Sequence, residues 1–182
     1  MKPCEFFPNM LDEMFDMWLA PFIEEIGWPF TDVNADLSGT RWDIFLGEIP
    51  LCVWNQLVWS RLDLEFTKLD FDIFTKLAIE SVIDHCVHDR STGTENLQNT
   101  KERFSACAEF LRVHQTIPKP IVAIYENNKI KVMDGYHRIA ALLHVGVPNG
   151  YKVPVWLSHY CAQLTVWPDK RIIRAAGYHR IL

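Results

Sequence analysis

From Met10 to Ile26 the apolar residues fall at three- and four-residue steps: Met10, Leu11, Met14, Phe15, Trp18, Leu19, Phe22, Ile23 and Ile26. That spacing predicts an amphipathic helix, with Asn9 as N-cap, Asp12 and Glu13 in the first turn, and Gly27 with Pro29 ending it. Pro21 lies inside it and predicts a kink. Residues 30–50 carry Asn34, Ser38, Gly39, Gly47 and Pro50, and read as loop with short extended pieces. The stretch 49–66 starts strand-like and ends with Leu62, Leu64 and Phe66 alternating with Arg61, Asp63 and Glu65. Phe71–Cys86 is a second amphipathic helix behind Asp70, its expected N-cap. Residues 101–114 form a third, with Phe104, Cys107, Ala108 and Leu111 on one face and Pro118 and Pro120 beyond its end.

The stretch KPIVAIYENNKIKVMDG predicts two short strands joined by a hairpin turn at Glu126–Lys129. YHRIAALLHVG follows as a helix of about three turns ended by Gly146, and GYKVPVWLSHY as a strand centred on Val153, Val155 and Leu157. The fold class expected is α+β, a small mixed sheet with helices plus a mostly helical N-terminal layer. The most polar segment, DRSTGTENLQNT at 89–100, is read as the boundary. Residues 1–88 are then a helical part packed on the core, and 101–182 the core itself with a basic C-terminal extension.

Hydrophobic residues make up 49% of the 182 and charged residues 23%, which excludes a disordered or collagen-like chain. No apolar run approaches the ~18 residues of a membrane span, and acidic residues interrupt the N-terminus where a secretory signal needs its apolar stretch. Five cysteines without a Cys-X-X-Cys pair read as buried thiols of a reducing compartment. A cytoplasmic protein without a membrane partner is expected. The net charge of −5 is divided unevenly: residues 1–80 hold five Lys and Arg against fifteen Asp and Glu, and residues 81–182 hold thirteen against eight. The basic half would receive a polyanion such as DNA, or a phosphate-bearing small ligand.

VMDGYHRIAALL, residues 132–143, carries the strongest candidate chemistry. A strand end followed directly by a helix N-terminus presents unpaired N–H groups and the positive end of the helix dipole. Gly135 would let a phosphate approach the backbone. His137 and Arg138 would add side-chain donors, Arg138 as an exposed bidentate fork. Asp134 is placed to hold a divalent metal or to orient an attacking hydroxyl.

Residues 117–158, with their hairpin, Asp-Gly-Tyr-His-Arg turn, helix and strand, resemble the core of the ParB/sulfiredoxin superfamily. The resemblance implies a nucleotide whose phosphates sit at the helix N-terminus, contacted by Gly135, Tyr136, His137 and Arg138. Asp134 corresponds to the acidic residue of the kinase-like branch. The sulfiredoxin nucleophile position is Tyr136 here, and the doubly basic pair of the CTP-dependent partition clamps is absent, so neither of those activities is implied. The implied function is phosphoryl transfer from ATP or another nucleotide, with Mg²⁺ at Asp134, to a hydroxyl of a small molecule or a modified DNA base. A metal-dependent nuclease and a non-catalytic nucleotide- or DNA-binding module are the alternatives. Asp134 and His137 are the expected catalytic residues, with Glu48 of GEIPLCVWNQLVWSRL as a candidate general base.

Three further patterns are weaker. His85 and His88 in DHCVHD have a spacing that would suit a metal. Trp28, Trp42, Trp54 and Trp59 would stack a base if exposed, although such spacing usually marks core. Lys170, Arg171, Arg174 and Arg180 form a basic tail able to follow a nucleic-acid backbone.

Overall fold

The computed structural model describes residues 3–90 and 97–159. The described residues divide into two compact units, one up to Val58 and one over Trp59–Ser158. The division falls at 58/59 and not in the polar stretch 89–100. In sequence that stretch lies between two helices of one unit, so it separates elements and not cores. The basic tail lies outside the described residues.

The first unit is helical. A 3-10 turn at Pro3–Phe6 precedes α1 (Asp12–Met14), a π-helical turn at Phe15–Leu19, α2 (Ala20–Ile26), α3 (Arg41–Phe45) and α4 (Leu51–Trp54). The expected single helix is present, but Leu11 and not Asn9 stands at its N-cap, without a side-chain cap bond. The wide turn immediately before Pro21 is where the helix accommodates a residue that lacks an N–H and whose ring crowds the preceding carbonyls. Two readings are corrected. Residues 41–45, expected as loop, form α3, because Thr40 Oγ1 accepts the Asp43 N–H at 3.2 Å and caps the turn. Residues 51–54, expected to begin a strand, form α4 behind Pro50; Leu51, Val53 and Trp54 are buried and the Trp54 indole donates to the Leu46 carbonyl at 3.1 Å. Aromatic rings fill this unit. Trp18 and Phe22 both stack on Phe45, at 4.7 and 3.9 Å, and Trp28 meets Phe6 and Trp42 edge to face at 5.0 and 4.7 Å.

The second unit holds β1 (Val58–Glu65, its first residue at the division), α5 (Ile73–Cys86), α6 (Leu97–His114), β2 (Ile121–Glu126), β3 (Lys129–Asp134), α7 (Tyr136–Val145) and β4 (Lys152–His159). Its four-stranded mixed sheet has the order β1-β4-β2-β3, which makes the fold α+β. β2 and β3 are an antiparallel hairpin whose turn, Asn127 and Asn128, has φ of 51° and 60° at both residues. Asn tolerates that left-handed conformation, and two such residues give the strand-matching twist of a tight hairpin. A bulge between Val122 and Ala123 shifts the register and sets Asp134 opposite Val122. One sheet face, with Ile121, Ala123, Ile130, Val132, Val153 and Val155, packs under Ile79 of α5, Phe104 and Ala108 of α6, and Ile139, Ala140 and Leu142 of α7. Helix α5, read from sequence as part of the N-terminal layer, belongs to this core.

Asp72, not Asp70, caps α5, accepting the Thr75 N–H at 2.8 Å. Asp70 serves the sheet: its carbonyl accepts the Ile130 N–H at 2.8 Å, the Asp72 N–H returns to the Ile130 carbonyl, and its carboxylate pairs with Lys129. Buried Thr75 then accepts the Val132 N–H at 3.0 Å, fastening α5 to β3 one residue pair before the candidate site.

Candidate functional site at the start of helix α7

Gly135 stands between β3 and α7 with φ 123°, a conformation that favours glycine. It is the N-cap residue, and no side chain among the described residues caps α7; the Gly135 carbonyl takes the Ile139 N–H at 3.0 Å. Asp134, the adjacent carboxylate, is directed to Arg138: Nη2 donates to Asp134 Oδ2 at 2.7 Å. Arg138 Nη1 donates to the carbonyls of Lys119 and Pro120 at 2.9 and 2.6 Å.

Arg138 was expected as an exposed phosphate fork. Its side chain is 9% exposed and that of Asp134 46%. The physical reason is the segment before β2: the carbonyls of Lys119 and Pro120 both accept from the guanidinium, which turns inward to reach them. The role read for Gly135 changes with it. A Cβ there would stand 3.3 Å from Ile121 Cγ1 and 3.4 Å from Nε and Nη2 of Arg138. The space above the glycine is filled by the guanidinium, so Gly135 admits Arg138 to the backbone.

The other residues of the turn differ in commitment. The Tyr136 hydroxyl donates to the Val132 carbonyl at 2.6 Å, and burial first, then the carboxylates of Asp72 and Asp134, push its pKa above the ordinary phenol value. His137 has its Nε2 buried without a hydrogen-bond partner among the described residues. Burial first, and the Arg103 cation next, hold its pKa below the ordinary imidazole value, against the opposing pull of Asp134. Arg103 is exposed on α6. One turn along α6, Cys107 lies in the field of Arg138 and Asp134, its thiol pushed up mainly by burial. Neither Arg103 nor Cys107 was singled out for chemistry from sequence; their four-residue spacing on one helix face was the available signal.

The remaining candidates are placed elsewhere. Glu48 is in the first unit, exposed, at φ 59° after Gly47, with its N–H on the Asp43 carbonyl at 2.8 Å. Its charge adds to burial in raising the pKa of Asp43. The structure therefore puts Glu48 in a different unit from Asp134. His85 is buried with its Nδ1 3.4 Å from the Arg90 carbonyl, whereas His88 is exposed. Among the described residues no group of three His, Cys, Asp or Glu converges to hold a metal. Trp42, Trp54 and Trp59 are 1–3% exposed and Trp28 is half-buried, so these rings are core and not a stacking platform. Of the cysteines, expected buried, Cys4 is exposed while Cys52, Cys86 and Cys107 are half-buried, and all four are free thiols. No described helix is long and apolar enough to cross a membrane.

Chemically, the turn offers the uncapped N–H groups of a ten-residue helix, an imidazole held toward its neutral form, and a half-exposed carboxylate with one oxygen fixed by a buried guanidinium. No family model, curated protein or solved structure matches this chain.

Proposed function

We propose that the N-terminus of α7 receives the phosphates of a nucleotide, and that the protein is a nucleotide-dependent phosphotransferase acting on a hydroxyl acceptor. The observation that carries this reading is the uncapped first turn of α7, whose neighbouring carboxylate is drawn away to Arg138. A helix start left without a side-chain acceptor favours an anion through its free N–H groups and its dipole. The backbone of Tyr136, His137 and Arg138 holds the phosphate. Arg138 acts as a positioning residue, fixing one oxygen of Asp134 so that the other faces the ligand. Asp134 and the phosphates would hold a magnesium ion, which supplies charge neutralisation and takes its other ligands from water. As the acceptor oxygen bonds to the terminal phosphorus, the bond to the leaving diphosphate breaks and the acceptor's proton passes to His137. Free thiols at Cys4, Cys52, Cys86 and Cys107 suit a cytoplasmic setting.

A second reading, a nucleotide-binding module without turnover, is favoured by one fact: Asp134 and Arg138 already satisfy each other. Incubation with labelled ATP, GTP or CTP, magnesium, and pooled hydroxyl acceptors or DNA separates the readings. Transfer of label supports the phosphotransferase, binding without consumption supports the module, and DNA cleavage supports a nuclease instead. Asp134→Asn keeps the shape and removes the charge. For a phosphotransferase, turnover per folded molecule falls by about 10²-fold or more, while nucleotide affinity without metal holds or improves. Unchanged turnover removes Asp134 from the chemistry.

A further inference from the structure

The loop between α7 and β4 carries a peptide bond with chemistry of its own. Of the eight asparagines in the chain, Asn149 alone is followed by glycine. Pro148, Asn149 and Gly150 are all exposed. The Tyr151 N–H donates to the Pro148 carbonyl at 3.1 Å, which closes a four-residue turn over them. Gly150 takes φ 81° at the third position of that turn, where a side chain would be strained. Neither the Asn149 side-chain amide nor the Gly150 N–H takes a hydrogen bond among the described residues. A Cβ built on Gly150 would meet nothing within 4 Å, so that side of the residue is open.

An asparagine in this setting reacts with its own backbone. The Gly150 nitrogen attacks Cγ of Asn149. A bond forms between them as the bond from Cγ to Nδ2 breaks, and ammonia leaves with the proton that Gly150 gives up. The product is a five-membered succinimide. Water then opens one of its two carbonyls and leaves aspartate or isoaspartate at 149, with nothing oxidised or reduced. A Cβ on the following residue would crowd the attacking nitrogen, and glycine has none. The Gly150 N–H gives up no hydrogen bond in reacting, and a single backbone bond closes the turn. The local opening that brings the nitrogen to Cγ therefore costs little.

We propose that Asn149 is a site of spontaneous deamidation, and that isoaspartate formed there loosens the second unit. Isoaspartate routes the main chain through the side-chain carboxyl group and adds a methylene between residues 149 and 150. Tyr151, next in the turn, is tied on three sides. Its carbonyl accepts the Phe66 N–H at 2.8 Å, its hydroxyl donates to the Gln115 carbonyl at 3.2 Å, and its ring packs against the core of the unit. A lengthened turn displaces these contacts. Aspartate, by contrast, adds one charge to an exposed loop and keeps the backbone length. The assignment does not rest on the nucleotide reading of α7.

Storage of the full chain at mildly alkaline pH, followed by intact-mass measurement and peptide mapping, tests it. The peptide containing Asn149 should gain about one dalton and resolve into aspartyl and isoaspartyl forms. Its rate in the folded chain should lie within about tenfold of that in a synthetic peptide of residues 145–154, because the turn protects little. Asn149→Gln, whose ring closure would need six members, should remove the early mass gain of the whole chain. The isoaspartyl form should melt below the parent, whereas Asn149→Asp should melt with it. A folded chain more than about tenfold slower than the peptide overturns the proposal. So does a whole-chain gain unchanged by Asn149→Gln, or an isoaspartyl form as stable as the parent.

Discussion

Replacing Arg138 should unfold the second unit more readily, and the size of the effect follows from its contacts. Arg138→Met keeps the aliphatic volume and removes the guanidinium. Two carbonyls, those of Lys119 and Pro120, lose donors at 2.9 and 2.6 Å, and Asp134 loses a partner at 2.7 Å. The Pro120 carbonyl is buried, and left unpaired it costs about 1–3 kcal/mol; Lys119 is exposed, so water replaces much of its lost bond and its share is about 0–1 kcal/mol. Asp134 is half exposed, so water replaces much of what it loses and its share is about 0–1 kcal/mol. The sum is about 2–3 kcal/mol once the apolar substitute recovers some burial, a sizeable fraction of the ~5–15 kcal/mol typical of a native protein. For a chain of this length that corresponds to a fall in Tm of about 5–10 °C.

Urea titration followed by far-UV circular dichroism, with thermal melts alongside, measures it. The midpoint should fall while the urea slope stays constant, because the surface exposed on unfolding is unchanged. Arg138→Lys should recover only part of the loss, since an ammonium on a shorter stem cannot reach all three acceptors. A loss below about 1 kcal/mol for Arg138→Met, within the range of ordinary surface changes, would refute the buried-brace reasoning. It would return Arg138 to the exposed phosphate fork expected from sequence.

Gly135→Ala should destabilise by about 2 kcal/mol, because φ 123° strains an L-residue and the new methyl meets Ile121 and the guanidinium; an unchanged urea midpoint would contradict this. His137, whose folded pKa lies below its ordinary 6.5, is protonated more readily in the unfolded chain, so the unfolded state binds more protons between the two values. Its contribution is fully present above about pH 6.5 and is lost as pH falls through the folded value. His137→Gln should therefore flatten the fall in stability below pH 6.5, and parallel pH profiles for parent and variant would show the ring is not desolvated. Asp72→Ala should cost about 1 kcal/mol through loss of the α5 cap, whereas Asp70→Ala should cost less, its carboxylate ties being exposed; equal costs would return the cap to Asp70.

Periodic patterns were legible where burial alone set them. Leu62, Leu64 and Phe66 marked β1, and the Asn127–Asn128 turn with its flanking alternation marked the hairpin, because tight turns need residues that accept positive φ. Short helices were not legible. A Thr40 hydroxyl caps α3, and in α4 an indole bond runs from Trp54 to a carbonyl eight residues back, and contacts of this kind leave no periodic pattern. The cap of α5 was misplaced by two residues because Asp70 and Asp72 look alike in sequence; only strand pairing at Ile130 tells them apart. At the candidate site the segment was found but the orientation of Arg138 was not. A sequence shows a charged residue in a first helical turn, but not the two carbonyls nineteen and eighteen residues earlier that draw it inward.

That inward turn changes what mutational data at this site can mean. The residues that would hold and neutralise a phosphate are the same ones that join β3 to α7, and Arg138 links them to the start of β2. A loss of activity in Arg138 or Gly135 variants would therefore follow from a displaced Asp134, even with no ligand contact at either position. Asp134 and His137 are the informative positions. Asp134 is half exposed, so its charge can be removed at about 1 kcal/mol or less, and His137 lacks a protein partner for its buried nitrogen among the described residues. If the α7 turn binds phosphate, addition of a nucleotide should raise the apparent pKa of His137, because an anion favours the imidazolium. An NMR titration of the ring protons with and without ATP reads that shift directly. A ring whose titration is unmoved by saturating ATP, GTP or CTP would place the phosphates elsewhere and leave the Asp134–Arg138 pair a purely structural clasp.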